Sequence, residues 1–291
     1  FPQKMKFLIP RHNPKTSPQL IQLLTILTLT FSISMASNIG SKKILVLGGN
    51  GFVGGTIAKK LIDRGYEVTS LSRRGGSADG EGKSRITFVK GDATDQKTVE
   101  DLVNGSKFSA VAHAIGILFE GGSNRLVSGS GSVPLPGATY DDITRRTVFN
   151  AADAISKSRG TNGEQHPVIP FVFVSAAEAA WTFDEKFMGT PIEFLHRYLK
   201  AKRSAEERIL KDKENLRGIV LRPSLVWTYK RPFALPSVAA FTFGNMIGLP
   251  FVDRPVNVET LAEAAVQAIM SPEESGVYDF KEMRRLESKV E

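Results

Sequence analysis

No cysteine occurs among the 291 residues, which excludes disulfide bracing, thiolate metal sites and a cysteine nucleophile. Histidine is nearly as scarce. His12, His113, His166 and His196 lack the close spacing of a metal-binding pair, so no metal is expected. Acidic residues are missing altogether from the first 40 positions, which hold Lys4, Lys6, Arg11 and Lys15 among many serines and threonines. Half of the net charge of +8 therefore resides there, in a composition that belongs to a cleavable targeting segment and not to a domain. A long apolar run is lacking from it too. Residues 20–33 are apolar but interrupted by threonines, and shorter than the about 18 to 20 residues of a membrane-crossing helix. A transit peptide, a signal sequence ending at the small residues Ser34 and Ala36, or a short membrane anchor all remain open readings of residues 1–40. In the remainder no Lys/Arg cluster is interleaved with aromatics, so nucleic acid is not expected as a partner.

What is present is concentrated in residues 44–74, ILVLGGNGFVGGTIAKKLIDRGYEVTSLSRR. An unbroken apolar strand over residues 44–47 runs into glycines 48, 49, 51, 54 and 55, and an amphipathic helix follows over 52–64 with Gly65 at its C-terminal end. In such a strand–turn–helix, Gly48 supplies the tight turn, Gly51 lets backbone N–H groups approach a pyrophosphate, and Gly54 lets the helix pack close to the strand. The phosphates would rest on the positive helix N-terminus, beside Asn50, Phe52 and Val53. The second strand ends in Ser72, Arg73 and Arg74, where an NAD site usually presents a carboxylate to the ribose. Two guanidiniums beside a hydroxyl suit a 2′-phosphate, so NADP(H) is expected ahead of NAD(H).

Strand and helix alternate through the rest, which predicts an α/β, Rossmann-like doubly wound parallel sheet with helices on both faces, in one domain over residues 41–285. Further strands are expected at 86–89, 109–114, 168–174, 218–221 and 276–280, and helices at 98–104, 140–158, 194–213 and 260–270. Asp92, beside Ala93 at the tip of the third strand, is either an acceptor for the adenine amino group or a helix cap, with Asp95 a second cap candidate. Residues 120–139 read as a surface loop. Residues 223–257 form a small C-terminal substrate or lid region. Within it the apolar stretch 233–252 is broken by Pro236, Gly244, Asn245, Gly248 and Pro250, which argues against a spanning helix and for a lid or a face against a membrane-bound partner.

Tyr198 and Lys202 lie four apart on a predicted helix and so share a face. There a lysine ammonium can lower a phenol's pKa and fit it for acid–base work on a carbonyl or alcohol. With GGNGFVG, Gly91-Asp92, VAHAIG, FVFVSAA, YLKAK, LRPS and PVNVETLAEAAV in order over residues 42–280, the chain resembles the short-chain dehydrogenase/reductase superfamily in its extended, atypical branch. It is similar, more narrowly, to the mitochondrial group containing the complex I nucleotide-binding accessory subunit and a fungal ubiquinone-biosynthesis-associated protein, through His113, GILFE at 116–120, SAAE at 175–178 and RPVNV at 254–258. The resemblance implies a mitochondrial, inner-membrane-associated location, with plastid or secretory alternatives, a membrane-associated protein complex as partner, and a quinone or isoprenoid ligand. It also completes the candidate cofactor set with His113, Gly116, Ser175, Lys202 and Pro223. One departure weighs against turnover: where active members place a hydroxyl two residues beyond the first serine, this chain has Ala177. The asparagine often present after the long loop falls at Thr144. Loss of one oxyanion donor can cost about 3 kcal/mol in a transition state, so hydride transfer is expected to be weak, with Tyr198 and Lys202 possible remnants. For His113 a satisfied strand-end role stands ahead of a proton carrier.

Overall fold

The computed structural model describes residues 42–76, 85–120, 134–159, 167–230, 235–248 and 252–289. The expectation of a targeting segment, and most of the loop reading at 120–139, lie outside these residues.

Seven parallel strands form the central sheet: β1 (Lys43–Leu47), β2 (Glu67–Ser72), β3 (Ile86–Lys90), β4 (Phe108–His113), β5 (Ile169–Val174), β6 (Leu216–Leu221) and β9 (Gly276–Tyr278), in the order β3-β2-β1-β4-β5-β6-β9. The order reverses beside β1, where a doubly wound sheet opens a crevice at its strand ends. A second, two-stranded parallel ribbon joins β7 (Val226–Trp227) to β8 (Val256–Asn257).

The helices cover both faces because β1 is apolar at every buried position and alternate side chains point to opposite faces. Ile44 and Val46 pack with Ile57 and Leu61 of α1 (Phe52–Asp63), with Leu261 and Ala265 of α6 (Val258–Met270), and with Met283 and Leu286 of α7 (Phe280–Ser288). Leu45 and Leu47 point the other way, into a core shared with Val99 of α2 (Gln96–Asn104), Val148 and Ile155 of α3 (Thr147–Ser158), and Ala205 and Ile209 of α4 (Glu193–Lys211). Val99, Val148 and Ile209 are fully buried.

Several expected boundaries shift. The helix expected over 140–158 begins as a wider π turn, Asp141–Arg146, before α3. The closing strand stops at Tyr278 because Asp279 and Glu282 form a reciprocal capping box that starts α7. A helix, α5 (Leu235–Met246), occupies the apolar stretch. Pro236 falls in its first turn, where the missing N–H has no helical acceptor to lose. Among the described residues no helix is long and apolar enough to cross a membrane.

Candidate functional site

At the carboxyl ends of β1 to β4 lies a cleft of 370 Å³. Its floor is the turn after β1. Gly48 has φ +85, and a Cβ there would lie 3.1 Å from both the Ala114 carbonyl oxygen and Ile115 Cγ1. Glycine is thus required by conformation and by space. A Cβ on Gly54 would sit 2.3 Å from the Gly48 carbonyl oxygen, so only glycine lets α1 close on the turn. Gly51 is extended, φ −82 and ψ 173, a conformation open to any residue. What its missing side chain leaves is room on the cleft wall.

The N-terminus of α1 has neither a side-chain cap nor an acidic residue in its first turn. The first-turn amides of α1 therefore contribute to the partial positive charge of a helix end that no side chain caps. Asn50 Nδ2 donates to Ser72 Oγ at 2.9 Å and to the Gly75 carbonyl, tying the glycine turn to the end of β2. Arg73 and Arg74 follow on the same wall. Gly91, Asp92, Ala93 and Thr94 also line the cleft. Asp92 Oδ1 accepts from Thr94 N and Thr94 Oγ1, each at 2.9 Å, while Asp95 caps α2 through Lys97 N and Thr98 N. Of the two roles open to Asp92, the helix cap belongs to Asp95.

The cleft's other end is apolar, formed by Ile115, Gly116, Ile117, Leu135 and Ile143. Ile117 and Ile143 belong to a small cluster with Tyr140, against which Tyr198 packs. Tyr198 and Lys202 share a face of α4, with the lysine nitrogen 5.7 Å from the phenol ring centre, but each is also engaged elsewhere. Lys202 Nζ donates to the Val174 carbonyl at 2.9 Å and lies 4.9 Å from the centre of the Phe173 ring. Burial pulls its pKa down to about 8 against the opposing charges of Glu206 and Glu178. The Tyr198 phenol is pushed up, not down, by burial first and then by Glu178 and Tyr140. Spacing placed the pair correctly; it could not show that the ammonium is engaged by a strand-end carbonyl.

Ser175 and Pro223 are buried away from the cleft wall. Ser175 Oγ donates to Glu206 Oε1 at 2.5 Å, and Glu206 also accepts from Arg222 Nε at 3.0 Å and Nη2 at 2.5 Å. That network joins β5, α4 and the end of β6. The Pro223 carbonyl accepts from Ala177 N at 2.9 Å. His113 is fully buried behind the turn, with Nε2 2.8 Å from Thr147 Oγ1. The Thr147 hydroxyl is 2.7 Å from the Ile143 carbonyl and donates there, which leaves it to accept from an Nε2–H tautomer. Burial, then the charge of Lys202, lowers the His113 pKa to about 3, so the ring stays the neutral Nε2–H imidazole at neutral pH. Its Nδ1 and the Thr144 hydroxyl are buried without a hydrogen-bond partner among the described residues.

Glu178 and Trp181 do not line the cleft. Glu178 follows Ala177 on a short 3₁₀ turn (Ala177–Ala180), and its carboxyl pKa is raised, chiefly by burial and further by Asp253. Sequence reading missed Thr94, Ile115, Ile117, Leu135, Ile143 and Thr147 as cleft residues. A general rule could have found the first three, since ligands in open α/β sheets sit just beyond the strand ends. Among the described residues no group of histidines and carboxylates could hold a metal ion.

Comparison with known proteins fits this geometry. A family model described as NAD(P)H-binding matches residues 48–272. The chain is similar to MIOREX complex component 2 of Saccharomyces cerevisiae, 23% identical over 282 residues, covering 83% of this chain and 98% of that one. It is also similar to the uncharacterized chloroplastic protein At1g32220 of Arabidopsis thaliana, 25% identical over 277 residues, covering 89% and 81%. Among solved structures, ElxO with NADP bound superposes with a TM-score of 0.56 at 13% identity, covering 82% of this chain and 96% of that one. The Bordetella bronchiseptica enzyme WbmH in complex with NAD+ gives 0.50 at 18% identity, covering 82% and 76%. These two likenesses concern the fold.

Proposed function

The chain belongs to the NAD(P)H-binding family and is an atypical short-chain dehydrogenase/reductase; from that premise we propose that it holds NADP(H) as a component of an organellar assembly, more than it turns substrate over. One observation carries the reading: the nucleotide cleft and the neighbouring Tyr198–Lys202 region differ in readiness. The glycine turn, the uncapped helix end and the Arg73–Arg74 wall suit a dinucleotide whose 2′-phosphate pairs with guanidinium. When bound, that cofactor would supply a transferable hydride. The region that would use the hydride lacks a hydroxyl at Ala177, engages Ser175 with Glu206 and Lys202 with Val174, and leaves Tyr198 a reluctant acid.

A place in a complex is supported by the yeast relative, a complex component by name, and an organellar address by the chloroplastic Arabidopsis relative. The narrower reading, a mitochondrial inner-membrane assembly of the complex I kind or one linked to ubiquinone, rests on the resemblance at His113, SAAE and RPVNV. The runner-up is an active NADPH-dependent reductase of an isoprenoid or aromatic ketone, using Tyr198 and Lys202. The apolar Ile115–Ile117 side of the cleft, next to Tyr198, favours it.

Paired variants decide between the two. Purified from its own cells, the protein is expected to carry NADP(H) together with partner proteins. Gly51→Val should strip the nucleotide and the partners, whereas Tyr198→Phe should keep both and cost cells little. If Tyr198→Phe silences a measurable NADPH oxidation and the cells lose function with it, the enzyme reading prevails.

A further inference from the structure

Helix α5 carries no charged residue, has Ser237, Thr242 and Asn245 as its polar side chains, and is exposed along nearly all of its length. Phe243, Met246 and Ile247 are 58%, 73% and 53% exposed, Leu235 and Phe241 are partly bare, and only Gly244 is buried. Phe241 and Phe243, two positions apart, project to opposite sides of a helix with 3.6 residues per turn. A lid over a pocket needs one apolar face. An uncharged helix that bares large apolar side chains on opposite sides needs an apolar medium on more than one side.

Length and charge identify that medium. Twelve residues make a helix of about 18 Å, too short for the about 30 Å hydrocarbon core of a bilayer but ample for one leaflet. Residues 232–252 contain no Asp, Glu, Lys or Arg, yet Lys230 and Arg231 precede the stretch and Arg254 follows it, against the single acid Asp253. Lys230 and Arg254 are exposed. Cations that bracket an apolar stretch suit anionic lipid headgroups on either side of an insertion. Beside Lys230, Tyr229 is 75% exposed and pairs edge-on with Trp227 at 4.7 Å, a pair of the kind that settles at the boundary between headgroups and acyl chains. We propose that α5 inserts into a single leaflet of an anionic membrane, with Lys230 and Arg254 at headgroup level, as a one-sided membrane anchor.

Vesicles of phosphatidylcholine with phosphatidylglycerol test this on the full chain. The variant Phe243→Trp should show blue-shifted emission with vesicles and quenching by lipids brominated along the acyl chain. The double variant Phe243→Asp/Ile247→Asp should bind the vesicles more than about a hundredfold more weakly, because a carboxylate in the hydrocarbon is costly, while its NADPH affinity stays at the wild-type value. The proposal is overturned if the Phe243→Trp emission ignores vesicles, or if the double variant sediments with them as the wild type does. It is equally overturned if the double variant keeps vesicle binding and loses NADPH affinity, which would make α5 a lid. Leaflet insertion and nucleotide retention fail separately: a wild-type protein that binds vesicles but no nucleotide removes the cofactor reading and leaves the anchor standing.

Discussion

Replacing Lys202 by methionine should make the nucleotide-free protein more stable at neutral pH and less stable at high pH. Lys202 is 4% exposed, and its pKa falls from the ordinary 10.5 to about 8, because burial outweighs the pull of Glu206 and Glu178. The folded chain thus binds this proton less tightly than the unfolded chain does. Each unit is worth about 1.4 kcal/mol, so the charged lysine costs the folded state about 3 kcal/mol at neutral pH. Between the two pKa values the unfolded chain keeps the proton that the folded chain has released, and stability rises with pH. Methionine removes the cost but leaves the Val174 carbonyl without its 2.9 Å donor, a loss of about 1 to 2 kcal/mol. The variant should therefore gain about 1 kcal/mol at neutral pH and fall behind the wild type as pH climbs past the lysine's folded pKa. Urea unfolding of both proteins from about pH 7 to about pH 10 measures the difference. A difference that stays constant across that range would refute the claim that Lys202 is charged and strained at neutral pH.

Three other perturbations probe separate links. Arg73→Ala/Arg74→Ala should weaken NADPH binding by about 1.5 to 3 kcal/mol, for lost charge-assisted phosphate bonds, and leave NADH nearly untouched; equal losses for both nucleotides in calorimetry would count against a 2′-phosphate site. Glu206→Ala should lower stability by about 3 kcal/mol, because it strands Arg222 and the Ser175 hydroxyl in the interior; a thermal shift corresponding to less than about 1 kcal/mol would show the network to be idle. Gly48→Ala should cost about 2 kcal/mol, from a positive φ joined to a 3.1 Å contact with the Ala114 carbonyl, and should weaken nucleotide binding as well; an undisturbed melting curve would mean that the turn relaxes freely.

The nucleotide half of the site was legible because its signals are local. An apolar strand, glycines at fixed spacing and an amphipathic helix lie within residues 44–64, and each glycine's task follows from one turn. The sheet was legible for a similar reason, since alternation of strand and helix leaves few topologies. What escaped was non-local or competed with a stronger local cue. Nothing near Lys202 in sequence announces that Val174 will accept its proton, nor does anything near Ser175 point to Glu206. The capping box from Asp279 to Glu282 was readable, but the β-branched and aromatic run before it drew the strand reading on to Phe280. At α5, Pro236 and Gly244 argued against a spanning helix, and none is found among the described residues, but they gave no sign of the short helix that persists with proline in its first turn and glycine on its buried side.

The contrast between the nucleotide cleft and the Tyr198–Lys202 region follows from what each is made of. The nucleotide cleft is built from backbone: a positive φ at Gly48, a Cβ excluded at Gly54, amides at the start of α1. Losing any of these strains the fold itself, so the cradle persists as long as the domain does. The catalytic region depends on side-chain hydroxyls that the fold does not need. Ala177 gives its N–H to the Pro223 carbonyl, a backbone bond that does not depend on a hydroxyl at that position. The Ser175 hydroxyl is structural, committed to Glu206 and through it to Arg222. On the proposed reading, a chain that holds a nucleotide without reducing with it can lose the second property one side chain at a time while the first stays locked to stability.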